Sequence, residues 1–475
     1  MAAGQLTLPD YIILLLYLLA LLLLGFLRSR QSTSTLEEYV IAGRKLSLPA
    51  FVATLVATWY GGILGVGEFS YQHGLSNWLV LGVPYYLHAF LFAVFLAGRA
   101  RRAPVLTIPE QLEASYGRTT GLLGALFVAL LATPAPYVLM LGVLCEMIFG
   151  WPLWLGVVVG TFFSIVYCMR GGLPAVVRTE ILQFILMYAG FILILAFAIT
   201  RYGAWEFLAQ HLPPTHLTWH GGNRPQYILV WYFIAMSTLV DPSFYQRCFA
   251  ARSEAVARRG IFIAIGCWLL FDFMTTATGL YARALLPDLA NPAASYPELA
   301  LHLLPAVARG IFFVALLATI MSTIDSFAFL SAISLGRDIF GKLGRQTSAA
   351  QATRLTQQSM VIVFLAAVAI ALWAQSVVAI WYRLGTIITP ALLPPLAASF
   401  SAKWKMSAPA ALSTMVLSAG LTSIWLATEK EGRYWLDLEP IYAGLALAVV
   451  IFLGDQIRKR GSGQTRAGQQ EGGAA

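Results

Sequence analysis

The sequence predicts an all-α polytopic membrane protein of thirteen spans, built around a five-plus-five inverted repeat with one extra helix before it and two after. Three observations lead there. Apolar residues make up 59% of the 475 and charged residues only 11%, whereas soluble proteins carry about 25% charged residues. The apolar residues gather into runs of about the 20 residues that cross a bilayer. Two of those runs, five apart, are interrupted by glycine or proline.

The runs lie at 10–27, 48–68, 76–98, 119–147, 151–169, 175–200, 225–249, 260–283, 308–337, 357–374, 377–399, 408–427 and 438–455. The first has Asp10 at its start, no basic residue before it, and Arg28 and Arg30 after it. It reads as a retained span rather than a cleaved signal. Cytoplasmic loops collect Lys and Arg. With the N-terminus outside, the inner segments hold 24 of the 31 basic residues and the outer segments 6, alternating at every loop. Arg383 alone falls more than three residues inside a span. The N-terminus is therefore expected outside and the C-terminus inside.

A single membrane domain is expected over 1–460: an extra span at 10–27, a first repeat at 48–200, a second at 225–399, and two extra spans at 408–455. The Gly/Gln-rich segment 461–475 reads as a disordered cytoplasmic tail. This composition excludes a soluble enzyme and a nucleic-acid-binding protein, and the net charge of +9 reflects topology. Cys145, Cys168, Cys248 and Cys267 show no zinc or disulfide spacing. Gly336 to Lys342 reads G-x-x-x-x-G-K, but Leu343 replaces the Ser/Thr of a nucleotide loop and a helix precedes it. With no H-E-x-x-H and no G-x-S-x-G, enzyme activity is not expected.

The interruptions are Gly61 to Gly67 in the second span, Thr133-Pro134-Ala135-Pro136 in the fourth, and Asp241-Pro242 in the seventh. Lipid cannot satisfy a freed carbonyl or amide, so irregular backbone at membrane depth lies inside protein or beside a watery cavity. Carriers use such breaks as binding sites in corresponding places of two inverted repeats. Five is odd, so spans 2–6 and 7–11 would run in opposite directions.

The densest polar cluster is Thr319-Ile320-Met321-Ser322-Thr323-Ile324-Asp325-Ser326 in span 9. Thr319, Ser322, Thr323 and Ser326 recur at i, i+3, i+4 and i+7 and share one helical face, with Asp325 beside it. Single hydroxyls usually bond back to their own helix. Four on one face with a membrane carboxylate point instead to hard oxygen ligands for a cation such as sodium.

Three passages resemble the sodium:solute symporter family: Gly171-Gly172-Leu173-Pro174-Ala175-Val176-Val177-Arg178-Thr179-Glu180-Ile181-Leu182-Gln183, then Gln246-Arg247-Cys248-Phe249-Ala250-Ala251-Arg252-Ser253-Glu254, then Met321 to Ser326. The resemblance spans about residues 36 to 400. It implies a LeuT-type fold, Na+ as coupling ion, and symport of a small organic solute by alternating access at the plasma membrane. By motif, sodium would take carbonyls of Ala57 and Tyr60, the hydroxyls of Ser322 and Thr323, and Thr319. Some members hold a second sodium nearer the cytoplasm, which maps to Glu180, Ser322, Asp325 and Ser326. Here Glu180 replaces the usual Asp and Asp325 a Ser, so that position would hold sodium or handle a proton.

The solute is expected at the midplane. Candidate lining residues are Trp59, Tyr60, Gly61, Gly62 and Glu68; Tyr85, Tyr86 and His88; Tyr137 and Met140; Ser237, Thr238 and Asp241; and Arg383. The family's sugar carriers have Tyr-Trp where this chain has Ser237-Thr238, and Thr58 to Gly62 looks more like the branch with choline-type carriers. Aromatics with Glu68 suit an organic cation; Arg383 suits a carboxylate. The sequence leaves both open. The competing expectations are a proton-coupled carrier of the same fold and a membrane sensor module, the latter disfavoured by the short tail after Asp455. The lipid bilayer and a small organic solute are the expected partners; no nucleic acid or obligatory protein partner is.

Overall fold

A computed structural model of the protein describes residues 6–26, 35–344, 348–374, 377–430 and 433–471. Among the described residues the structure is helical, with no β-strand and only two isolated bridges, Leu46 with Ala251 and Lys430 with Arg433. The helices used below are α1 (Leu8–Phe26), α2 (Leu48–Trp59), α3 (Ile63–His73), α4 (Leu153–Tyr202), α5 (Pro242–Ala250), α6 (Glu254–Leu285), α7 (Ala308–Ile333) and α8 (Val377–Ser399).

Ten helices are long and apolar enough to cross a membrane, eleven when α2 and α3 count as one bent span. All thirteen predicted runs are helical among the described residues; the two outside that number are 151–169 and 377–399. The run at 151–169 opens α4, in which two helices meet at Gly172, whose φ of 56° and ψ of −161° are non-helical and suit only glycine. An added Cβ there would lie 2.5 Å from the Tyr39 carbonyl oxygen. The run at 377–399 is α8, which carries Pro390, Pro394 and Pro395 and buries Thr386 and Thr389.

All three predicted interruptions are breaks. Between α2 and α3 the axis bends by 61° at Tyr60 to Gly62. In the fourth span Ala132 to Pro134 separate Arg118–Leu131 from Ala135–Phe149. In the seventh, a 3-10 turn over Ala235–Val240 leads to Asp241, which caps α5 by accepting from the Ser243 amide at 2.7 Å. Pro242 follows at the first helical position, where its missing N–H costs nothing.

Helix α7 is the centre of the protein: every residue from Phe312 to Ile333 is buried inside the chain, whereas α1 and Ala408–Leu426 bury only a minority of theirs. Those outer helices turn Leu15, Leu16, Leu19, Leu23, Val416 and Leu417 outward, as lipid-facing helices do. The last helix runs Pro440–Glu471, continuing past 460 into the segment expected to be an unstructured tail. The G-x-x-x-x-G-K stretch is helical through Lys342, not a phosphate loop. Cys145, Cys248 and Cys267 are free thiols.

The extra helix α1 is tied to α7 by charge. Asp10 is fully buried and accepts from the amides of Val307 and Gly310, each at 3.0 Å, and from Arg309 Nη2 at 2.7 Å. It thus satisfies orphan donors at the start of α7. Asp10→Ala leaves Arg309 buried with its charge uncompensated, so a loss of about 3–5 kcal/mol is expected. Thermal unfolding of purified protein checks this; a melting temperature equal to that of the unmutated chain would dismiss the tie.

Candidate functional site

The break after Trp59 leaves the last carbonyls of α2 without intrahelical partners, and it is these that face α7. Ser322 Oγ lies 2.8 Å from the Ala57 carbonyl oxygen and 2.9 Å from that of Thr319. Thr323 Oγ1 donates to the Thr58 carbonyl at 2.7 Å, while Thr319 Oγ1 donates within α7 to Ala315 at 2.7 Å. Thr319, Ser322 and Thr323 are all fully buried. A helix C-terminus carries partial negative charge. The α2 end therefore offers carbonyl oxygens and a favourable dipole to a cation, and α7 adds hydroxyl oxygens.

The predicted set is brought together with one shift. Ala57 meets Ser322 as expected, but the second carbonyl against the stripe is that of Thr58. The Tyr60 side chain donates its phenol to the Trp268 carbonyl at 3.1 Å and sets its ring edge-on to Phe271. Gly61 is the residue that allows the approach. A Cβ there would lie 2.4 Å from Thr323 Cβ and 2.6 Å from the Tyr137 ring. Gly61→Ala must therefore push α3 off α7. Overpacking of this kind costs about 1–3 kcal/mol, so a roughly tenfold loss of sodium-dependent uptake is expected at unchanged membrane expression. Uptake at the normal rate would count against this contact.

The second predicted cluster is on the same face of α7, farther along the helix. Ser326 Oγ donates to Glu180 Oε1 at 2.5 Å and Thr58 Oγ1 to the same oxygen at 2.7 Å, with Thr54 bonded to the other. The cation in the middle is a side chain. Arg247 Nη2 lies 3.1 Å from Glu180 Oε1, 2.5 Å from Ser326 Oγ and 2.9 Å from Thr58 Oγ1, and Nη1 reaches Gln246 at 3.0 Å. Arg247 and Glu180 are both fully buried. Asp325, also fully buried, is turned about 100° from Ser326 around the helix. The sequence flagged Glu180 and Ser326 but did not bring Arg247 to them. Nothing in the spacing of residues 180, 247 and 326 announces that contact.

Above the break lies a cavity of about 180 Å³ lined by residues of both broken spans, among them Trp59, Gly62, Tyr137, Ser237 and Asp241 of the candidate solute residues. Tyr60 and Tyr85 also line it. Other candidates lie elsewhere. Arg383 is exposed and outside the lining. His88 is buried in its own helix, its Nδ1 paired with the Pro84 carbonyl at 2.8 Å. Glu68, Met140 and Thr238 stand outside the lining, and Tyr86 stands behind it, bonded to Asp272. The lining residues that were not anticipated include Asp272, Trp231 and Trp381. Asp272 is a carboxylate inside a long apolar helix, a signal the sequence did carry. Trp381 packs on the break itself, since a Cβ on Gly62 would lie 2.0 Å from its ring.

The fold is the LeuT-type arrangement of membrane carriers. It matches the substrate-bound outward-open state of a Na+-coupled sialic acid symporter with a TM-score of 0.79 at 17% identity, over 95% of this chain and 97% of that one. It also matches Mhp1, a nucleobase-cation-symport-1 family transporter with bromovinylhydantoin bound, with a TM-score of 0.59 at 13% identity, over 87% and 93%. The family model of the sodium:solute symporter family matches residues 39–417, and the chain belongs to that family. Among its relatives, the sodium/pantothenate symporter of Escherichia coli (strain K12) is 26% identical over 449 residues, 90% of this chain and 91% of the relative. The sodium/proline symporter of Staphylococcus aureus (strain JH9) is 24% identical over 476 residues, 93% and 91%.

Proposed function

We propose that the chain is a symporter that carries a small organic solute into the cell with one sodium ion, by alternating access in the plasma membrane, and that it is not an enzyme. It crosses the membrane thirteen times, N-terminus outside, with the Lys and Arg residues of its inner loops setting the direction. The observation that carries the reading is the meeting of the α2 carbonyls of Ala57 and Thr58 with Ser322 and Thr323 of α7. Sodium entering this cluster replaces hydroxyl protons as the carbonyls' partner and so bonds α2 to α7. Each ligand then favours the state that binds the other, and the coupling is reciprocal.

A single ion is supported by Arg247, whose guanidinium stands where a second cation would meet Glu180 and Ser326. The same cluster argues against Glu180 as a proton carrier, because both of its oxygens already accept from Thr54, Thr58, Ser326 and Arg247. Uptake into proteoliposomes tests the whole reading. Transport is expected under an inward sodium gradient and absent under a pH gradient alone; the opposite pattern would replace sodium with a proton.

A further inference from the structure

The cavity above the α2–α3 break has a one-sided chemistry. Eight of its lining side chains are aromatic, two are carboxylates, and none is basic. The carboxylates are Asp241, at the break of the seventh span, and Asp272, midway along α6. Among the described residues neither belongs to an ion pair. Asp241 is engaged by the Ser243 amide at 2.7 Å and hydroxyl at 2.5 Å, and Asp272 by Tyr86. Neutral hydrogen bonds orient a carboxylate but do not cancel its charge, and an isolated charge in a low-dielectric site is costly. The basic group nearest in chain logic, Arg247, is withheld: it sits behind Thr58, which lines the cavity, and its charge is matched by Glu180. Arg383, which would attract a carboxylate, is exposed outside the lining.

We infer that the solute is an organic cation, an amine or quaternary ammonium compound, held between Asp241 and Asp272 against an aromatic wall formed by Trp59, Tyr85, Tyr137, Trp231 and Trp381. This rests on the proposed function, which it deepens by naming the substrate class. Aromatic faces attract cations, most strongly when water is excluded, and indole rings do so best. The wall is already assembled: Trp59 meets the Tyr85 ring edge-on at 5.4 Å between centroids, and Tyr137 lies 5.8 Å from Trp381. Two carboxylates and a π-lined wall make the site attractive to positive charge and repellent to an anion. An anionic solute would meet two carboxylates and no basic side chain of the lining. Specificity here comes as much from what the site rejects as from what it holds.

The test is binding to the purified full-length carrier, read by the fluorescence of the cavity tryptophans and by thermal stabilisation, with and without sodium. The probes are choline, its uncharged isostere 3,3-dimethylbutanol, proline and pantothenate. Choline is expected to bind in sodium, 3,3-dimethylbutanol at least about 30-fold more weakly, and pantothenate not at all. Asp272→Asn and Asp241→Asn should each weaken choline by at least about 30-fold. Asn preserves the bond from Tyr86 in one case and the cap in the other, so a folded protein with lost cation affinity is the supporting result. Sodium-dependent binding of pantothenate or proline, or equal affinity for choline and its isostere, overturns the assignment while leaving sodium symport intact. No binding of choline at any sodium concentration also overturns it. Choline binding that ignores sodium keeps the assignment and removes the symport reading instead.

Discussion

Removing the hydroxyl of Ser322 or Thr323 should raise the sodium concentration that half-saturates solute uptake by at least about tenfold, with both changes together abolishing sodium dependence. A hydrogen bond or ligand contact to a charged group is worth about 1.5–3 kcal/mol, and each 1.4 kcal/mol is tenfold. The two hydroxyls act on different carbonyls, Ser322 on Ala57 and Thr323 on Thr58. Their losses should therefore combine. Thr319→Ala is expected to be milder, because its hydroxyl bonds within α7 to Ala315. Ser322→Thr and Thr323→Ser keep an oxygen at each position and should retain most sodium activation. Uptake by Ser322→Ala and Thr323→Ala with an unaltered sodium dependence would take the ion away from this contact altogether.

Changing Arg247 should have two separable effects. Arg247→Ala strands Glu180 at full burial, and removing one partner of a buried pair costs about 3–5 kcal/mol. Arg247→Lys should recover only part of this. Its ammonium cannot match the planar fork with which the guanidinium reaches Glu180, Ser326 and Thr58 through Nη2 and Gln246 through Nη1. The double change Arg247→Gln with Glu180→Gln removes both charges and should restore much of the lost thermal stability. The second effect is on stoichiometry. With Arg247→Gln, the carboxylate and hydroxyls of Glu180, Thr58 and Ser326 become available to a mobile cation. The sodium dependence of uptake should then steepen from a Hill coefficient of about 1 toward 2. A wild-type carrier already showing the steeper dependence would mean that the guanidinium does not stand in for a second ion.

The particular residues show how far the sequence alone could reach. Span positions and the three breaks were legible because they depend on local chemistry: apolar runs, glycines 61 to 67, and the Asp241-Pro242 pair. The α7 stripe was legible because i, i+3, i+4 and i+7 fix a face whatever surrounds the helix. What failed was partnership across the bundle. Arg247 and Glu180 are 67 residues apart, and nothing local in either says that they meet. Arg383 misled in the opposite way: an arginine within an apolar run suggests a lined cavity, yet the residue is exposed and outside the lining. Asp272 was missed although a carboxylate inside a long apolar helix is itself a warning. The boundary between the fifth and sixth spans is as short as a boundary can be: one non-helical residue, Gly172, stands where a loop would.

Because Arg247 is part of the chain, its charge is never released to either side of the bilayer. The sodium and the solute are then the only charges that a turnover delivers. Each elementary charge moved through 100 mV yields about 2.3 kcal/mol. An anionic cargo would cancel the electrical work of its single sodium and be left to the concentration gradient. A cationic cargo doubles it, to about 4.6 kcal/mol per 100 mV. If one sodium moves per cycle, as proposed, a tethered guanidinium makes the voltage sensitivity of transport current a direct count of the cargo's own charge.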